Sequence, residues 1–388
     1  MDQLRPVKEP VSIVFAANDY YVPYLATLIA SILDNADPAR ALELFVLERD
    51  FTAQHKAELE RQVAAARQQA TISFVDVEAA MAPYEGRLHT WAHFKMETYF
   101  RLLLPQLLPD HHKVLYLDAD MVACADVGEL FDTCVDGYLV AACKDPDTTG
   151  IYNGVDVDLG QPDKRGYMDN VLKIKNPYEY FQAGTIVFNL DEWRRSLDVD
   201  EVFAFAQKER WQLLDQDVLN YFCQGRVRFV DMAWNVMFDN GGFRISEIIS
   251  HSTPELFSAY LEAREHPKIV HYAGPFKPWS DPEADFAGIF WHYAHMTDFA
   301  ERIALRESRE RSERIERRLE GTERLLAAVD AELMRYEHRS AWLMLKEFCY
   351  QKVACPIADA VLTGERTRGV VRDLYRRIHP RRDDAPDA

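Results

Sequence analysis

Short apolar runs alternate with helical periods through the first 120 residues, and that alternation leaves few architectures open. Residues 12–17, 42–47, 71–77 and 113–118 each read as a strand, while 22–33, 52–69 and 94–104 carry helix-spaced apolar side chains. Buried strands separated by helices predict an α/β fold: a mainly parallel sheet with helices on both faces. In such a sheet, ligands bind at the carboxyl ends of the strands. Attention therefore falls on two strand exits, residues 16–19 and 118–120.

Further along, residues 148–180 are polar and rich in Asp, Gly and Asn, which predicts a long functional loop or lid rather than core. Strands are expected at 181–190, 227–231 and 269–272, with helical stretches at 192–211 and 217–223. The predicted organisation is a catalytic domain over 11–295 and a helical C-terminal extension over 296–388. Within the extension, Ile315, Leu319, Thr322, Leu326, Val329, Leu333 and Tyr336 fall at alternating steps of four and three. That heptad seam suits a helical hairpin or a short coiled coil, and it leaves open whether it packs in cis or pairs two chains. The tail then turns basic, with Arg366, Arg368, Arg372, Arg376, Arg377, Arg381 and Arg382 beside an apolar face of Val370, Val371, Leu374 and Ile378. It reads either as an interfacial helix on anionic lipid or as a solvated basic end.

The formal net charge of -18 argues against nucleic acid as a partner, because a phosphate backbone would be repelled. Six cysteines form no C-x-x-C pair and no zinc spacing, so reduced thiols in a cytoplasmic protein are expected. The first residues show no basic region followed by an apolar one, and no run approaches the ~18 apolar residues that span a bilayer.

The strongest chemical signal is Leu115-Tyr-Leu-Asp118-Ala-Asp120. Two carboxylates one residue apart at a strand exit can converge on a hard divalent cation that keeps positions open for phosphate oxygens. A turn with two solvated acids is the alternative. A second cluster, His271-Tyr-Ala-Gly274-Pro-Phe-Lys277-Pro-Trp279, also follows a strand. His suits Mn²⁺, Gly274 allows close backbone approach, and Lys277 offers a point charge to a diphosphate. A lone His after a strand can also be purely structural.

These blocks, with Phe15-Ala-Ala-Asn-Asp19, Tyr99-Phe-Arg101-Leu-Leu, Phe181-Gln-Ala-Gly184 and Leu214-Asp-Gln-Asp217, stand in the order found in retaining glycosyltransferases of family 8. From about residue 11 to 295 the chain resembles that family, which includes lipopolysaccharide galactosyl- and glucosyltransferases and, distantly, glycogenin. The resemblance implies a GT-A type, Rossmann-like fold and transfer of a hexose from UDP-glucose or UDP-galactose to a glycan acceptor, lipid-linked in the lipopolysaccharide members. It also implies Mn²⁺ or Mg²⁺ as cofactor, held by Asp118, Asp120 and His271. Ala16, Asn18 and Asp19 would face uridine and ribose, and Gly274 and Lys277 the diphosphate. Arg101, Asp145, Asp215 and Gln216 would surround the transferred sugar. Two positions depart from the pattern: Gln182 stands where Asn is usual, and Tyr20 where the galactosyltransferases carry a small polar residue. A non-catalytic sugar-nucleotide scaffold and a haloacid-dehalogenase-type phosphatase are the competing classes, and the phosphatase leaves His271 through Trp279 unexplained. Localisation is expected in the cytoplasm, on the inner face of the cell membrane if the tail binds lipid.

Overall fold

The computed structural model describes residues 9–90, 95–156, 163–239, 241–274 and 276–333, together with position 347. At its centre lies a seven-stranded sheet of order β3-β2-β1-β4-β7-β6-β8. Its strands are β1 (Val11–Ala16), β2 (Leu42–Glu48), β3 (Ala70–Asp76), β4 (Lys113–Leu117), β6 (Val140–Lys144), β7 (Phe181–Asn189) and β8 (Val227–Phe229). A second sheet of order β5-β10-β9 is built from β5 (Met121–Ala123), β9 (Val236–Met237) and β10 (Ile269–His271). The β1, β2, β3 and β4 pairings are parallel, as the alternation predicts. β7 is reversed, running antiparallel to both β4 and β6.

Burial follows position in the sheet. β1 is central and buried from Val11 to Phe15, whereas the edge strand β3 alternates between exposed and half-buried residues. α1 (Val22–Asn35) is buried continuously from Val22 to Ile32. A helix apolar on every face belongs inside the protein, and α1 packs against β5 and the Ala287–Ala294 helix. α2 (Ala53–Ala65) buries only Leu59 and Val63, and Thr52 caps it by accepting from His55 N.

The described part of the segment 148–180, which leaves out 157–162, differs from the lid expected of it. It holds a helix at Pro146–Tyr152, a π turn at Tyr167–Val171 and a 3₁₀ turn at Pro177–Glu179. Tyr167, Met168, Leu172 and Ile174 are buried in the core. Its polar average hides these apolar residues, which are too few and too closely spaced to show a helical period. The stretch read as a helix at 94–104 is instead a 3₁₀ helix, Met96–Leu103, followed by a short turn with Pro105 in its first positions. Proline at that point suits a new helical start and not a continuous α-helix.

The chain divides into two compact units, residues 1–305 and 306–388. A single helix, Ala300–Leu333, runs across that division. Pairs of Glu310 with Arg314, Glu313 with Arg317 and Glu320 with Arg324 support it, with the acid N-terminal to the base as the helix dipole favours. Ile315 and Leu319 of the heptad seam are exposed. Tyr336 and the basic stretch 366–382 lie outside the described residues. No described helix is long and apolar enough to cross a membrane. Cys124, Cys134, Cys143 and Cys223 are free thiols.

Candidate active site

In the large sheet, β1 sits between β2 and β4, so the strand order reverses on leaving β1. The crevice at such a switch point is where open α/β sheets bind ligands. Both predicted exits open there. After β1, Asn18 Oδ1 accepts from Tyr21 N at 3.2 Å and caps a short turn. Asp19 is turned toward α2: its Oδ1 accepts from Thr52 N at 2.9 Å and lies 2.7 Å from His55 Nδ1. Burial alone would raise this carboxyl, but Thr52 and His55 outweigh it and hold Asp19 below the usual range.

The second exit is completed by His271, from far along the chain. β5 follows Asp120 directly and pairs with β10 so that Met121 lies opposite His271. His271 Nε2 therefore stands 3.4 Å from Asp120 Oδ1 and 3.8 Å from Asp118 Oδ2. One donor atom from each of the three residues lies within 4.8 Å of the others. His271 Nδ1 is 2.9 Å from Asn235 Oδ1. With the hydrogen on Nδ1, donated to that amide oxygen, Nε2 would present its lone pair to a cation held between the two carboxylates. Two carboxylate oxygens and an imidazole nitrogen converging in this way form a donor set that fits a divalent cation. Burial raises Asp120, yet the Lys277 charge and His271 overcome it and keep that carboxylate ionised far below its ordinary value.

Gly184 makes this convergence possible. A Cβ built there would lie 2.5 Å from His271 Cε1 and 2.7 Å from the Met121 methyl. Gly184→Ala is therefore expected to push the imidazole off the Asp118–Asp120 pair and weaken Mn²⁺ binding by about 10- to 100-fold, the usual cost of losing ligand orientation. Calorimetric titration with Mn²⁺ and UDP checks it, and wild-type affinity would remove Gly184 from this role.

Arg101 is the hub behind the carboxylates. It is 4% exposed, yet Nη2 contacts Asp118 Oδ1 at 2.7 Å and Nε contacts Asp215 Oδ2 at 3.0 Å, while Nη1 donates to Ala183 O. Thr98 Oγ1 donates to the other oxygen of Asp215. Burial lifts Asp215 to about 6, against the opposing pull of Arg101 and Thr98. Gln216 Oε1 accepts from Ala183 N at 2.9 Å, and its Nε2 donates to Asp145 Oδ2 at 3.0 Å. Asp145 also accepts from Thr148 Oγ1 at 2.8 Å, and burial raises its carboxyl. The structure thus joins Arg101, Asp118, Asp145, Asp215 and Gln216 in one network. Gln182 is 3% exposed, and its Oε1 has no hydrogen-bond partner among the described residues.

Lys277 arrives on the loop after β10. Gly274 has φ +101, a left-handed conformation that suits glycine. Trp279 stacks on Tyr24 of α1 at 4.0 Å and pins the far end of the loop to the core. Lys277 Nζ then lies 2.5 Å from Asp120 Oδ2 and 2.7 Å from Tyr272 O.

The sequence profile of glycosyl transferase family 8 matches residues 12–283 of this chain. The chain belongs to that family. General stress protein A of Bacillus subtilis is 26% identical over 296 residues, covering 74% of this chain and 94% of the relative. Lipopolysaccharide 1,3-galactosyltransferase of Salmonella typhimurium is 28% identical over 256 residues, covering 65% and 67%. Among solved structures, the apo form of the bifunctional glycosyltransferase WbbM is similar with a TM-score of 0.68 and 32% identity, over 78% of this chain. The match spans 53% of the WbbM chain. The fold is the GT-A type that the resemblance implied.

Reasoning from sequence missed several residues at this family 8 site. Asn235 sits in a short 3₁₀ turn with no motif around it. Asp147 and Arg244 form an ion pair at 3.2 Å, and Arg244 also donates to Phe238 O at 3.0 Å and Ala273 O at 3.1 Å. The pair ties the Pro146–Tyr152 helix to the loop that follows His271. Burial lifts Asp147 to about 7, with Arg244 opposing and Asp145 and Asp239 adding to the rise. A raised folded-state pKa means that the folded protein holds a proton the unfolded chain has already lost. Across the window from about 4 to about 7, stability attributable to this group falls as pH rises. Asp147→Asn is expected to shrink the difference in Tm between about pH 5 and about pH 8 by a few degrees. An unchanged difference would place Asp147 in the ordinary carboxylate range.

Proposed function

We propose that this chain is a metal-dependent, retaining glycosyltransferase that moves glucose or galactose from a UDP-sugar to a hydroxyl of a glycan acceptor. We infer a cell-surface polysaccharide or lipopolysaccharide precursor as that acceptor. The observation that carries this function is the convergence of Asp118, Asp120 and His271 beside Lys277 at the switch point of the sheet. Mn²⁺, or Mg²⁺, held by those three residues would supply charge neutralisation for the donor diphosphate.

The remaining roles belong to the chain's own side chains. Lys277 Nζ brings a positive charge to the departing β-phosphate, where negative charge grows most as UDP leaves. Ala16 and Asn18 line the nucleoside end, and Asp19 holds their turn against α2. Gly274 would let the backbone approach the diphosphate, and Gln182 Oε1, without a partner among the described residues, would accept from a sugar or ribose hydroxyl. Arg101, Asp145, Asp215 and Gln216 fix the hexose. The bond from C1 to the UDP oxygen breaks as the acceptor oxygen bonds to C1 on the same face, and the acceptor proton passes to the departing phosphate oxygen. Gln216 is an amide and a poor nucleophile, while Asp145 and Asp215 are already held by Thr148, Gln216, Arg101 and Thr98. That occupancy favours same-face attack over a covalent intermediate. Residues 11–295 form the catalytic domain in this scheme, with 296–388 as a helical extension whose basic end would dock on an anionic leaflet.

The test is hydrolysis of UDP-glucose and UDP-galactose by the full chain with Mn²⁺, followed by proton NMR of the free hexose. The α-anomer should appear first. First appearance of the β-anomer would contradict retention, and no consumption of either donor would contradict the assigned substrate class.

A further inference from the structure

Leu214 has φ 49 and ψ −116, a conformation of the first central residue of a type II′ turn, which glycine favours. Here it is a fully buried leucine, directly before Asp215 and Gln216. The turn closes with Gln216 N donating to Leu213 O at 2.9 Å. Strain of this kind persists only where the surroundings over-determine it, and the constraint is visible at Asp217. Asp217 is 2% exposed and accepts from Leu213 N at 2.9 Å, from Tyr167 OH at 2.6 Å and from Tyr180 OH at 2.5 Å. Tyr167 OH in turn accepts from Gln212 N at 3.0 Å. The carboxylate thus grips the backbone just before the strained residue. Two phenols of the 148–180 segment then anchor it, Tyr167 in the π turn and Tyr180 directly before β7.

We propose that Asp217, with Tyr167 and Tyr180, is a positioning device that locks the strained Leu213–Gln216 turn so that Asp215 and Gln216 face the reacting sugar. This inference rests on the proposed hexose transfer, in which Asp215 and Gln216 touch the donor sugar. Both oxygens of Asp217 are occupied by donors, so it acts through its neighbours and not on the substrate. The arrangement also gives a reason for the burial of Tyr167 and Tyr180: both rings are held in the core while their hydroxyls reach Asp217. Positional tolerance at a reacting centre is small, and a shift of about 1 Å can cost on the order of 100-fold in rate.

Tyr167→Phe, Tyr180→Phe and the double variant test it, because each removes a donor while keeping the ring that fills the core. The full chain is assayed for Mn²⁺-dependent hydrolysis of the UDP-hexose that the wild type turns over, with UDP affinity measured alongside. Each single variant should lower kcat by about 10-fold and the double by about 100-fold, with donor KM and UDP affinity within about twofold. Thermal melts should show each variant folded at the assay temperature. If the double variant does not fold, the same criteria are applied to the singles. A kcat within about twofold of wild type in folded variants would overturn the inference, and so would parallel losses in UDP affinity, which indicate general loosening. An active wild type with unaffected variants sinks this inference alone. A wild type silent toward every UDP-hexose sinks it together with the proposed function.

Discussion

Asp120→Asn is expected to lower UDP-hexose turnover by on the order of a thousandfold or more, in a protein that still folds. Asp120 faces His271 at 3.4 Å and Lys277 at 2.5 Å, and its strongly depressed pKa shows a carboxylate that its surroundings keep charged. Converting it to an amide removes a full negative charge from the candidate cation site and leaves the shape unchanged. Losing one preorganised electrostatic contact alone typically costs about 100- to 1,000-fold, and a metal ligand carries more. Asp118→Asn should be equally inactive but less stable. Asp118 is a charged partner of buried Arg101 and also accepts from Tyr116 OH at 3.1 Å. Weakening that pair should cost about 1–3 kcal/mol, visible as a lower Tm. Steady-state rates at saturating donor and limiting Mn²⁺ check both variants. Wild-type turnover in either would remove that residue from the metal site.

Lys277→Ala should reduce kcat by on the order of 100-fold or more while changing donor KM far less. Its ammonium is held beside the carboxylates by Asp120 and Tyr272 O, where leaving-group charge would appear in the proposed transfer. An interaction that strengthens only as UDP departs contributes to turnover, whereas one present equally in the bound ground state contributes to KM. Lys277→Arg should restore little, because a planar guanidinium cannot reproduce a compact ammonium seated between one carboxylate and one carbonyl. Kinetics across a donor concentration series distinguish the outcomes. A rise in KM with unchanged kcat would make Lys277 a uniform binding contact.

What the sequence made legible was local. Asp118 and Asp120 stood out because one residue separates them at the end of an apolar strand, and the parallel β1, β2, β3 and β4 core followed from the alternation of strands and helices. The convergence of His271 on them was not legible from spacing, because it depends on pairing between two three-residue strands, β5 and β10. Strands that short carry no periodic signal. Asn235 and Gly184 matter through what they touch, His271 in both cases, and neither contact has a local signature. The 148–180 segment failed for a related reason: Tyr167 and Leu172 are buried side chains in a polar stretch, and composition averages them away. The strain at Leu214 is invisible in a leucine, since only the backbone torsion reveals it. At that residue a non-glycine conformation of this kind costs about 1–3 kcal/mol, and the fold carries it next to the residues assigned to the sugar.

The proposed transfer requires a divalent cation, held by Asp118, Asp120 and His271, for breaking the bond between hexose and UDP. UDP release from UDP-glucose or UDP-galactose, measured on one preparation with Mn²⁺, after chelation, and again after metal is restored, tests it most directly. Release should be rapid, fall to background, and return. Release that continues unchanged under chelation would contradict the metal-dependent mechanism.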